Sequence, residues 1–130
     1  MTVSLVRQGA PARVRVLVVE DDKDQCVLAC LWLDALGYAF VSTASPHEAL
    51  RLLGEQRFDL LFTDIAMPGT LDGVALANKV KTQFPSVRLL LTSSYSDRLL
   101  VDFDLPAPLL QKPYGKDDLA TAISKALSSG

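Results

Sequence analysis

Residues 14–19 form a nearly unbroken aliphatic run, rich in β-branched side chains, that stops at three consecutive acids, Glu20, Asp21 and Asp22. A run of this kind has no polar alternation and therefore no solvent face. It belongs to a strand covered on both sides, as strands of parallel sheets are. The same design returns along the chain, with short strand candidates at 38–43, 59–63, 87–91 and 109–111. Helix-length stretches separate them. One runs over 23–36 and has Gly37 where a helix is commonly closed by glycine. The next opens with Ser45 as N-cap, Pro46 at the first helical position and Glu48 three residues after the serine. A third follows the loop that carries Met67, Pro68, Gly69 and Asp72-Gly73, continues to about Gln83 and is closed by Pro85. A short fourth covers 97–103, ahead of Pro106. The last carries Leu119, Ala122, Ile123, Ala126 and Leu127 at helical spacing. Five strands alternating with five helices predict an α/β, doubly wound domain built on a parallel sheet.

Length and charge narrow the functional classes. The chain has 130 residues, enough for one core, so the expected organisation is a loose leader over 1–13, with Gly9, Ala10, Pro11 and Ala12, and one domain over 14–130. A net charge of −2 without any block of Lys or Arg argues against direct DNA binding, which needs a basic face. No apolar run approaches the ~20 residues that cross a bilayer, and the N-terminus has no basic-then-apolar export signal. The expected location is cytoplasmic, where Cys26 and Cys30 stay reduced. Four apart on a helix, they share a face and in principle could hold a metal. The favoured reading is two small, buried or half-buried apolar side chains. His47, the one histidine, is read as a surface residue.

In doubly wound sheets the functional crevice lies beyond the carboxyl ends of the strands. There this sequence places Glu20 and Asp21 after the first strand, Asp64 after the third, Thr92 after the fourth and Lys112 after the fifth. Three close carboxylates repel unless a hard cation sits among them. Mg2+ suits such a set, because it takes one or two carboxylates, keeps waters and coordinates phosphate oxygens. A carboxylate oxygen of Asp64 can then act as nucleophile toward a phosphoryl group. Lys112 would offer a point charge to the phosphoryl oxygens and Thr92 a hydroxyl donor, since phosphoryl transfer asks mainly for positioning and charge stabilisation. Taken singly, each residue has a plainer account: an acid after a strand is an ordinary helix N-cap, which is favoured for Asp22.

With these residues in place the chain resembles, from about residue 13 onward, the receiver domain of two-component response regulators. The segments that carry the resemblance are VLVVEDD (16–22), DLLFTDIAMPGTLDG (59–73), LLLTS (89–93) and LQKPY (110–114). The resemblance implies a CheY-like, flavodoxin-like sheet of order 2-1-3-4-5 and a regulatory phosphoprotein that acts on no free substrate. It implies Asp64 as the phosphorylated residue, Asp21 as a direct Mg2+ ligand, Glu20 as a ligand through water, and the backbone carbonyl of Ala66 as the third protein ligand. Thr92 and Lys112 match the phosphoryl-contacting hydroxyl and ammonium, and Pro113 the proline after that lysine, often preceded by a cis bond. The implied partners are a histidine kinase or a histidine phosphotransfer protein, with a downstream protein target.

The sequence departs from the family in three places. The loop after Asp64 is one residue longer than the commonest pattern. Leu109 stands where most receivers carry the Tyr or Phe whose ring turns inward on activation, so Tyr95 and the helix over 97–103 are expected to carry the signal instead. In the first helix, Leu28, Ala29, Trp32 and Leu36 are expected to face the sheet. That leaves Val27, Cys30 and Leu31 on a face usually polar, a candidate surface for a phosphotransfer partner or a weak homodimer. Ala66 and Ser94 are small residues beside the expected path of the attacking water. A stand-alone switch is the leading reading, with a receiver fragment of a hybrid kinase or a non-phosphorylated pseudo-receiver as alternatives. A haloacid-dehalogenase-type enzyme would need an acid two residues after the nucleophile, and Ala66 is there.

Overall fold

The computed structural model describes residues 13–66, 72–94 and 104–128. The strands are β1 (Arg15–Val19), β2 (Ala39–Thr43), β3 (Leu60–Asp64), β4 (Arg88–Ser93) and β5 (Leu109–Gln111). Helices α1 (Lys23–Ala35), α2 (Pro46–Glu55), α3 (Gly73–Gln83) and α4 (Lys116–Ser128) complete the described elements. The strands form one all-parallel sheet of order β2-β1-β3-β4-β5, as the resemblance implied. The helix expected over 97–103, Tyr95 and the loop 67–71 lie outside the described residues.

Alternation along each strand divides the core between the two faces of the sheet. Val16 and Val18 of β1, Leu60 and Phe62 of β3 and Leu90 of β4 pack with Ala29 and Leu33 of α1 and with Leu119, Ile123 and Ala126 of α4. Leu17, Val19 and Leu61 point the other way, toward Ala49, Leu52 and Leu53 of α2 and Leu76 and Val80 of α3. Both faces of β1 and β3 are therefore covered, which is why their sequences lack alternation.

Local chemistry sets the element ends. Asp22, Ser45 and Asp72 cap α1, α2 and α3 with side-chain oxygens that accept from Gln25 N, Glu48 N and Ala75 N. The Ser45 cap forms only its forward half. Glu48 turns its carboxylate to the Thr43 hydroxyl, and Thr43 Oγ1 in turn accepts from Ser45 N. Helix α1 closes in a Schellman turn, with Gly37 N donating to Asp34 O and Tyr38 N to Leu33 O. Gly37 has φ +90, a conformation that a Cβ would strain.

One sequence expectation is corrected here. Leu28 does not face the sheet; it is 37% exposed, and Leu33 is the fully buried residue. The buried stripe of α1 is Ala29 and Leu33 at i and i+4, flanked by half-buried Cys26 and Trp32 and continued by the half-buried C-cap residue Leu36. Leu28 lies one residue, about 100° of helix, off that stripe. Val27 and Leu31 are exposed, as the sequence pattern suggested, so Leu28 joins their patch. Cys30 is half-buried, and burial beside Cys26 pushes its thiol up to about 11. His47 is exposed.

Candidate functional site

Parallel register brings the carboxyl ends of β1, β3, β4 and β5 to one edge. Asp64 pairs with Thr92 across β3 and β4, and Thr92 with Leu110 across β4 and β5. The ladder continues past the strand ends: Ile65 N donates to Thr92 O, and Lys112 N to Ser93 O at 2.8 Å. Glu20 is anchored in the same way, its N–H donating to Thr43 O. Backbone pairing, rather than side-chain packing, thus delivers Glu20, Asp64, Thr92 and Lys112 to one place. Glu20, Asp64 and Lys112 line an open cleft that also includes Asp21, Asp22, Gln25, Ser94 and Pro113, and Thr92 is the strand neighbour of Asp64. The peptide between Lys112 and Pro113 is cis.

The cleft is organised by one ammonium. Lys112 Nζ donates to Asp64 Oδ2 at 2.6 Å and to Glu20 Oε1 at 2.7 Å, and all three side chains are nearly buried. The other oxygen of each acid is held by backbone: Ala66 N donates to Asp64 Oδ1 at 2.9 Å, and Asp22 N to Glu20 Oε2 at 3.2 Å. Burial pushes the Glu20 carboxyl up; its bond to Lys112 pulls it back, Asp64 pushes it up again, and the net direction is upward. Burial pulls Lys112 down, but its bonds to Asp64 and Glu20 outweigh that and leave it above its ordinary value. The ammonium therefore stays charged at neutral pH.

Glu20, Asp21 and Asp64 present carboxylate oxygens all within 4.8 Å of one another. Among the described residues this is the one group of three or more potential metal ligands, and neither cysteine belongs to it. Three hard oxygens, one of them on exposed Asp21, match the donor preference of Mg2+ and not that of a soft metal. The residues fit the ion.

Thr92 stands beside Asp64 in the strand register. It is 3% exposed, and its hydroxyl has no hydrogen-bond partner among the described residues. A buried unsatisfied hydroxyl costs about 1–3 kcal/mol, so its persistence needs a reason other than stability. Thr92→Val should leave the unmodified domain equally stable or up to about 1 kcal/mol more stable, measured by denaturant midpoint, while weakening capture of a phosphoryl analogue.

The sequence expectations divide as follows. Glu20, Asp21, Asp64, Thr92 and Lys112 come together, with Ala66 bonded to Asp64 and Pro113 and Ser94 on the cleft wall. Leu109 is half-buried in a separate apolar group with Ile65, Ala77 and Leu91. Val27 and Leu31 stand outside the cleft, on α1. Gln25 is a wall residue not anticipated from sequence. Its position one turn into the helix that follows the acids was the available signal.

Residues 16–124 match the model of the response regulator receiver domain. The response regulator receiver protein CpdR of Brucella abortus is 33% identical, over 87% of this chain and 96% of that protein. The transcriptional regulatory protein ZraR of Salmonella typhimurium is 30% identical over 89% of this chain. This chain spans only 27% of that relative's length. Among solved structures, a response regulator receiver protein from Sinorhizobium medicae superposes with a TM-score of 0.80 at 22% identity, covering 90% of this chain and 96% of that one.

Proposed function

The chain belongs to the response regulator receiver family of two-component systems, and on that premise we propose that its unit over 14–130 is a phosphorylation switch whose acceptor is Asp64. The observation that carries the reading is the two-pronged hold of Lys112 on Asp64 and Glu20, beside a buried Thr92 hydroxyl without a partner.

The donor is a phosphohistidine on a histidine kinase or a phosphotransfer protein. A carboxylate oxygen of Asp64 attacks phosphorus, the P–N bond breaks, and the imidazole nitrogen leaves with the electron pair and is protonated. Lys112 moves from one carboxylate oxygen to meet the phosphoryl charge while keeping its hold on Glu20. Thr92 donates its hydroxyl to a phosphoryl oxygen and so gains the bond it lacks. Ala66 N keeps the other Asp64 oxygen oriented. Asp21, Asp64, the Ala66 carbonyl and, through water, Glu20 would hold Mg2+, which would supply positive charge against the incoming phosphoryl group.

The test is transfer from a phosphorylated kinase in the presence of Mg2+. Wild type should take up one phosphoryl group and Asp64→Asn none; label persisting on Asp64→Asn would end the reading. A beryllofluoride titration separates a switch from a pseudo-receiver, which would show no shifts at Asp64 and Thr92.

For the donor's docking surface, the exposed patch Val27, Leu28 and Leu31 on α1 is the candidate. It lies on the helix that contributes Gln25 to the cleft wall. Leu31→Glu should change stability by no more than about 0.5 kcal/mol and slow phosphotransfer from the partner while leaving uptake from acetyl phosphate intact. Equal rates from the partner for both proteins would point to docking elsewhere.

No described helix is long and apolar enough to cross a membrane.

A further inference from the structure

One close contact at the acceptor involves no side chain on its second partner. Gly73, the first residue of α3, lies against the peptide that carries Asp64. A Cβ built on Gly73 would fall 1.8 Å from the Asp64 carbonyl oxygen and 2.7 Å from both the Asp64 carbonyl carbon and the Ile65 Cα. No real Cβ approaches backbone so closely, and backbone cannot swing aside as a flexible side chain can. Gly73 is buried, and its N–H donates to Ile65 O at 3.2 Å. The Asp64 carbonyl oxygen also accepts from the Thr63 hydroxyl at 3.0 Å.

We propose that Gly73 is a positioning residue for phosphorylation: its missing side chain lets the start of α3 lie against the Asp64–Ile65 backbone and hold the acceptor carboxylate where Lys112 and Ala66 can bind it.

The Asp64 carboxylate is attached to the backbone through one Cβ, so a displacement of the Asp64 peptide is passed almost undiminished to Oδ1 and Oδ2. Both oxygens are committed, Oδ2 to Lys112 at 2.6 Å and Oδ1 to Ala66 N at 2.9 Å. Neither bond tolerates a shift of an ångström. Any residue with a Cβ at 73 must push either α3 or the Asp64 peptide away by more than that. Helix α3 resists, because Leu76, Ala77 and Val80 are fully buried and Asp72 caps its first turn at Ala75 N. The acceptor strand end is then the part that yields. Gly54 makes the contrast: nothing lies within 4 Å of a Cβ added there.

The proposal rests on Asp64 being the acceptor, and its test separates the two. Gly73→Ala is assayed for initial phosphoryl uptake from acetyl phosphate with Mg2+ and for beryllofluoride binding, at a temperature where it is folded. Leu53→Ala, a core change on α2, serves as the control for lost stability. The expected result is an uptake rate for Gly73→Ala lower by about 100-fold, with beryllofluoride binding weakened alongside it and Leu53→Ala close to wild type per folded molecule. Uptake by folded Gly73→Ala within twofold of wild type would overturn the proposal. So would an equal loss in Leu53→Ala. Should Gly73→Ala not fold, amide exchange of the wild type decides. The Gly73 and Ala66 amides should open in one event with equal protection and equal denaturant dependence, and Gly73 opening alone would overturn the proposal. Wild type that binds no beryllofluoride would remove the acceptor reading, while the exchange result would still stand for or against the backbone seam.

Discussion

Lys112→Met should cost the domain about 3 kcal/mol, the low end for breaking a nearly buried ion pair because the cleft is open to water, and should cut phosphoryl uptake by about 10²–10³-fold. Both losses have one origin. The ammonium is the shared counter-charge of Asp64 and Glu20 at 2.6 and 2.7 Å, and methionine keeps its length while removing its charge. Glu20 is already raised by burial and by Asp64. Without Lys112 it should rise further, so the variant should regain stability as pH falls and Glu20 takes up a proton. Wild type should behave differently at the alkaline end. Its Lys112 is raised above the ordinary 10.5, so the stability it contributes is complete below that value and is lost as pH climbs through the raised one. Denaturant titrations of both proteins across pH, with and without Mg2+, check the prediction. An identical pH profile for the two would show that the ion pair is not what holds the site.

Phe62→Ala should destabilise by about 3–5 kcal/mol, by removing one of the largest fully buried side chains of the core. Phe62 sits on the sheet face covered by α1 and α4. Its ring meets that of Tyr114 edge to face, with centroids 5.9 Å apart. Burial pushes the Tyr114 hydroxyl strongly upward, so it stays protonated. The pair joins the residue two before Asp64 to the residue two after Lys112, and so braces Asp64 against its counter-ion from beneath. The Phe62→Ala cavity should therefore also weaken beryllofluoride binding per folded molecule, whereas a Leu53→Ala cavity on the opposite face should not. Thermal unfolding read beside the titration separates the two effects.

The strands were legible because buried parallel strands write themselves as uninterrupted aliphatic runs. Residues 14–19 and 59–63 each predicted their strand to within a residue of Arg15–Val19 and Leu60–Asp64. The polar groups at the carboxyl ends were legible for a related reason. The sheet ends where burial ends, so Glu20, Asp64, Thr92 and Lys112 mark the edge by breaking the apolar runs. The orientation of α1 was less so. Apolar residues occur around most of that helix, from Val27 and Leu28 to Leu31, Trp32 and Leu33, so its composition does not single out one face. Leu28 was consequently expected to face the sheet, and the fully buried Leu33 was not singled out. Gly73 was visible only as half of an Asp-Gly turn signal. That its Cα meets the peptide of a residue nine positions earlier is a fact of tertiary approach, which no local pattern encodes.

The Thr92 hydroxyl can also be read as local frustration. Almost every other choice in the core agrees with the fold, with aliphatic residues on both sheet faces, capped helix starts and paired backbone. Thr92 and Trp32 each place a buried donor where the described structure gives it nothing to bond, and only Thr92 stands beside Asp64 in the strand register. A search that optimised this chain for stability would replace Thr92 with valine among its first changes, and on the proposed reading the result would be a sturdier protein with a weaker hold on a phosphoryl group. Natural sequences retain such a mismatch only under continual selection for the occupied state. On the proposed reading, the sequence at this position answers to the phosphorylated state rather than to the fold.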